Sequence, residues 1–172
     1  MNINRLLNRF IKYVQVDTRA SASSETYPST PGQIELGEIV REELQAMGAV
    51  DVQLDEHGIL VGTIPSNVEQ SVPVIAFNSH FDTSPEASGK NVRPNVIRNY
   101  SGGDLVLPGD PSRVIREEEN PELLDLHGCT LITTDGTTLL GGDDKAGIAI
   151  IMEMAESLLE DQTISHGEIR LL

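Results

Sequence analysis

Apolar residues recur at Ile3, Leu6, Leu7, Phe10 and Val14, a three- and four-residue rhythm that lays one hydrophobic stripe along an N-terminal helix. The polar stretch "SASSETYPSTPGQ" follows and ends in helix-start signals. Thr30 can cap, Pro31 suits the first helical position and Gln33 completes a capping box. The second helix then turns Leu36, Val40, Leu44 and Met47 inward and stops near Gly48, where a left-handed residue is easily accommodated. "VDVQLDEHGILVGTI" alternates in two short runs around His57 and Gly58, which predicts a β-hairpin.

Residues 72–84, "VPVIAFNSHFDTS", open with an apolar run too short for a helix and rich in Val and Ile. That pattern predicts a strand buried on both faces, ending abruptly in polar residues. Residues 85–129 are rich in Pro, Gly and charge, with a small hairpin expected near "NVIRNYSGGDLVL", and read as an insertion between core elements. "CTLITTDG" resumes β character, residues 144–160 read as a helix, and "HGEIRLL" reads as another strand. Strand, helix and strand in that order predict an α/β fold with a parallel sheet and a right-handed crossover. Ligands of such sheets collect beyond the carboxyl ends of the strands, and His80, Asp82 and Asp143 all fall at that edge.

A chain of 172 residues suits one domain able to bury roughly 70% of its unfolded surface. Hydrophobic residues at 38% and charged residues at 23% exclude a disordered tail. The net charge of -15 repels phosphate backbones, so nucleic acid is not an expected partner, whereas cations and the protonated ends of small substrates are favoured. Cys129 is the sole cysteine, which fits a reducing cytoplasm. The N-terminal residues carry Arg5, Arg9 and Lys12 among the apolar ones, unlike a signal peptide, and no segment has the length to span a bilayer, so no membrane partner is expected.

His80 and Asp82 are two apart, a spacing that directs both side chains to one side of an extended segment. A carboxylate there can fix the histidine tautomer and strengthen it as a metal ligand, although a histidine at a strand end also serves purely structural ends. Asp143 and Asp144 follow Gly141 and Gly142, whose missing side chains let the backbone bend tightly. Capping of a helix by Asp143 or Asp144 would account for one acid. It would not account for Lys145, because a cation in the first turn opposes the helix dipole; Lys145 is expected to screen Asp144 and leave Asp143 free for metal. Gly-Gly-Asp-Asp-Lys lacks the Gly-Lys-Ser/Thr of a phosphate-binding loop. The alternating acids of an EF-hand and the Gly-x-Ser-x-Gly of a serine nucleophile are missing too. His57, His127 and His166 lie in loop contexts and are not expected at a site.

"NSHFDTSPEASGKNV" together with "LITTDGTTLLGGDDKAGIA" resembles the peptidase T family, the tripeptide aminopeptidase branch of a clan of metallopeptidases with two zinc ions. The likeness covers essentially the whole chain. It implies a three-layer α/β/α domain with a mixed, mostly parallel sheet, of which residues 1–172 are the N-terminal part, without the lid and dimerisation domain. By the same resemblance His80 and Asp143 are the metal residues, with Asp143 bridging two zinc ions across a cis peptide bond to Asp144, and Asp82 is the catalytic-site residue that orients His80. The implied reaction is removal of the N-terminal residue of small tripeptides by a metal-bridged hydroxide. The family's general-base glutamates and remaining ligands lie beyond Leu172. The chain alone is therefore expected to hold zinc weakly, to be inactive, and to self-associate through an incomplete sheet. The rival readings are a related di-zinc dipeptidase, carboxypeptidase or deacylase, and a non-catalytic binding module on the same scaffold.

Overall fold

The α1 helix, Ile3–Val14, begins where the Asn2 side chain accepts the Arg5 amide, and it buries Phe10, Tyr13 and Val14. A computed structural model describes all of residues 1–172. The α2 helix spans Pro31–Met47 and buries Leu36, Val40 and Leu44. The capping box differs from expectation. Thr30 makes no side-chain cap, and the Gln33 amide instead donates to the hydroxyls of Thr30 and Ser29, both at 3.1 Å. Gly48, at φ 98°, ends the helix in the left-handed conformation that the sequence predicts.

Strands β1, Val50–Leu54, and β2, Leu60–Ile64, form the expected antiparallel hairpin. Strands β3, Ile75–Phe77, and β8, Ile169–Leu171, complete one mixed sheet in the order β1-β2-β8-β3. Between them in the chain come β4, Asn95–Ile97; β5, Leu105–Val106; β6, Val114–Ile115; a 3-10 turn, Pro121–Leu126; β7, Leu131–Thr133; and the helix α3, Gly142–Glu160. Alternate positions of the sheet, Leu60, Ile64, Ile169 and Leu171, pack against Leu36, Val40 and Leu44 of α2 and Ile148 and Met152 of α3. The α1 helix packs on α3, where Arg5 reaches Glu153 and Arg9 reaches Glu156. No helix is long and apolar enough to cross a membrane.

The α/β class and mixed sheet stand as expected, and three details differ. Only β3 with β8 is parallel, because β2 meets β8 antiparallel. The helices gather on one face of the sheet, while Val61 and Arg170 on the other lie exposed, so two layers rather than three are present in residues 1–172. Strand β3 is exposed at all three positions rather than buried on both faces, since it is an outermost strand that no helix covers.

The insertion also folds differently from the pattern. Strand β4 pairs with β7, and β5 pairs with β6, so no hairpin forms within residues 95–107. The Tyr100 amide donates to the Cys129 carbonyl at 2.9 Å, which continues β4 alongside the β7 segment instead of letting it fold back. Since β7 therefore sits outside the main sheet, the parallel neighbour of β8 is β3, and α3 lies in the connection between them.

Candidate functional site

Beyond β3 the chain stays extended and its side chains alternate. Phe81 packs on the main core and Thr83 is buried, while His80 and Asp82 point outward. Both ends of this segment are pinned. The Ser79 amide donates to the Leu172 carbonyl at 3.1 Å, and Thr83 forms a parallel bridge with Arg19, donating to the Thr18 carbonyl and accepting from the Ala20 amide. The two-residue spacing therefore brings His80 and Asp82 together: His80 Nδ1 lies 3.1 Å from Asp82 Oδ1 and 3.0 Å from the Asp82 carbonyl oxygen.

The other half of the site is the start of α3. Gly141 adopts φ 75°, Asp143 and Asp144 have non-helical backbone angles, and the peptide bond between the two acids is cis, as the resemblance implies. The acids then divide their tasks. Asp144 caps the helix, accepting the Gly147 amide at 3.2 Å on Oδ1 and the Ser79 hydroxyl at 2.7 Å on Oδ2. Asp143 caps nothing. Its side chain is 95% exposed, and Oδ1 lies 3.1 Å from His80 Nε2.

Burial works against a charged His80, but the hydrogen bonds to Asp143 and the Asp82 carbonyl outweigh it and raise the imidazole above its ordinary pKa. Imidazole and carboxylate thus face one another with a second carboxylate behind the ring. That donor chemistry suits a divalent cation. The set is two donors deep, for Asp82 lies behind the ring and no three His, Cys, Asp or Glu side chains are arranged so that they could hold a metal ion together.

Lys145 departs from expectation. It does not screen Asp144; it is 2% exposed and donates to the Val16 carbonyl at 2.7 Å, since a stem this long reaches across to the segment after α1. Burial lowers its pKa to about 8, with Asp17 opposing. His57 is exposed beside Glu56, His127 lies edge-on to Tyr100, and His166 contacts the Gly167 carbonyl, so all three stand apart from the site. Sequence reasoning missed Ser79. Its signal was position alone, one step before His80 on the opposite side of an extended segment.

No family model matches the chain. It is 47% identical over 168 residues to peptidase T of Geobacillus sp. (strain WCH70), covering 98% of this chain and 41% of that protein. Peptidase T of Listeria monocytogenes serotype 4b (strain CLIP80459) is 50% identical over 166 residues, 96% of this chain and 40% of that relative. Among solved structures, a tripeptidase from Staphylococcus aureus superposes with a TM-score of 0.62 at 29% identity, covering 99% of this chain and 36% of that one. The aminopeptidase PepT from Bacillus cereus ATCC 10987 gives 0.63 at 27% identity, with 99% and 36% covered. The class these likenesses define is an α/β peptidase scaffold of the tripeptidase type. The chain spans about two fifths of the length of the curated relatives it matches. Over that span its sequence is similar to peptidase T proteins at 47–50% identity.

Proposed function

We propose that the chain is part of a peptidase T-like zinc metallopeptidase that removes the N-terminal residue of tripeptides. The observation that carries this reading is the approach of His80 Nε2 to an exposed Asp143 carboxylate delivered from 63 residues away. His80 and Asp143 would hold metal, and zinc when bound would polarise the scissile carbonyl as a Lewis acid. Asp82 acts through His80. By accepting a hydrogen bond from Nδ1–H it fixes the tautomer whose Nε2 lone pair points at the cation. The exposed Asp143 carboxylate offers its oxygens to the metal, and the acidic surface favours the protonated amino end of a short peptide. A reducing cytoplasm suits the lone exposed Cys129.

Zinc bound per chain, measured by native mass spectrometry on residues 1–172, tests the site. Weak, saturable binding that His80→Ala and Asp143→Asn both abolish is expected; binding indifferent to both overturns the site. Hydrolysis of Leu-Gly-Gly, dipeptides and acylated amino acids tests the activity. Two donors are too few for a catalytic zinc, so this chain by itself is expected to cleave none of them at a useful rate. Chelator-sensitive tripeptide cleavage by these residues alone would refute that. In a longer form, cleavage of dipeptides or acyl amino acids instead of tripeptides would move the assignment to a related di-zinc hydrolase.

A further inference from the structure

Lys145 is a fully enclosed cation whose role the metal site does not explain. An ammonium has three donors, and here one reaches a backbone carbonyl, that of Val16. Removing such a charge from water is costly, and an apolar side chain of similar length would fill the space with less penalty. The position of the bond suggests what offsets that cost.

Residues 16–20 run between the two halves of the site. On one side they pair with Thr83, whose amide donates to the Thr18 carbonyl at 3.2 Å and whose carbonyl accepts the Ala20 amide at 2.9 Å. Behind them lies Gly32, so close that a Cβ there would stand 1.9 Å from the Asp17 carbonyl oxygen. In front of them is Lys145. Gly141 closes the ring, since a Cβ at that position would meet Thr83 Cγ2 at 3.1 Å and Lys145 Nζ at 3.6 Å. Lys145 is two residues beyond Asp143, and Thr83 is one beyond Asp82. The segment therefore touches both chain stretches that present the candidate ligands.

We propose that Lys145 is a positioning residue: its ammonium fastens residues 16–20 against Thr83 and thereby sets the distance from His80 and Asp82 to Asp143. Its importance for catalysis rests on the metal site proposed above, but the geometry it fixes does not. A side chain that merely filled the core would stabilise every element about equally. A strap acts on its two ends.

The test compares wild type with Lys145→Met without metal, using amide exchange and NMR. Expected is a tenfold or greater loss of protection at the Ala20 and Thr83 amides and a weakened contact between the His80 ring and Asp143, with β2 and β8 amides unchanged. Unaltered protection at Ala20 and Thr83 would overturn the proposal. So would a loss spread evenly over β2 and β8, which marks an ordinary core residue. If Lys145→Met does not fold, Lys145→Gln, which keeps a donor on a shorter stem, carries the same comparison. Rescue completes it: Lys145→Cys in a Cys129→Ser background, aminoethylated while unfolded and then refolded, regains the ammonium and should regain both signals. Zinc affinity is read in parallel and should fall about 10–100-fold in Lys145→Met. If wild-type zinc binding ignores His80→Ala, the metal reading fails, while exchange and the ring contact still decide the role of Lys145.

Discussion

The Ser79 hydroxyl sits 2.7 Å from Asp144 Oδ2 and 3.0 Å from the Asp144 carbonyl oxygen, so the second acid of the pair is immobilised while the first is left in solvent. The two acids should respond differently to the same change. Asp144→Ala removes the cap of α3 and should cost about 1 kcal/mol of stability. Asp143→Ala should leave the melting temperature near wild type yet abolish zinc binding. Thermal melts and metal titrations on both variants check this.

Gly147 lies in a helix, where alanine ordinarily gains roughly 1 kcal/mol over glycine. Here a Cβ would stand 2.4 Å from Asp144 Oδ1, so the methyl must expel the cap. Gly147→Ala is expected to destabilise in the wild-type background and to stabilise when Asp144→Ala is already present. A double-mutant cycle of unfolding free energies reads the sign change.

Asp82 touches the ring and not the proposed cation. Asp82→Asn keeps the size but weakens the acceptor behind His80, and zinc affinity should drop about 10–100-fold with folding unaffected. Isothermal titration against wild type measures it.

Glu153, 1% exposed on α3, is expected to contribute to acid stability. Burial alone raises its pKa, but hydrogen bonds from Arg5, the Asn2 amide and Ser157 reverse this and lower it from 4.5 to about 2. A depressed carboxyl contributes stability that is complete above the unfolded value of 4.5 and disappears as pH falls from there towards about 2. Unfolding midpoints followed through that window should decline, and Glu153→Gln should start lower at neutral pH and decline less.

Strand β3 presents Ile75, 55% exposed, and Phe77 on an edge with unpaired backbone groups. Such an edge is a template for pairing with another chain. Sedimentation should show concentration-dependent association of residues 1–172, and Ile75→Lys should suppress it.

The elements that could be read from the chain were those whose partners lie nearby. The stripe from Ile3 to Val14, the helix ended by Gly48 and the hairpin around Gly58 depend on local periodicity and turn chemistry, and each formed. Strand β3 has the apolar composition of a buried strand, but burial depends on what flanks it, and no local pattern records that. The pairing of β4 with β7 is likewise a long-range choice, decided where Tyr100 meets Cys129. At the site, the spacing of His80 and Asp82 and the glycines before Asp143 were legible because alternation and backbone freedom are local. The reach of Lys145 to Val16 was not, because it joins residues 129 positions apart.

The facing of His80 and Asp143 is also a loop closure across 63 residues. Neither helix α3 nor the strand before His80 can create it alone, so a cation that engages both groups recognises only the assembled tertiary structure. Occupancy and folding are then thermodynamically linked, and each added increment of bound ion must raise the free energy of unfolding.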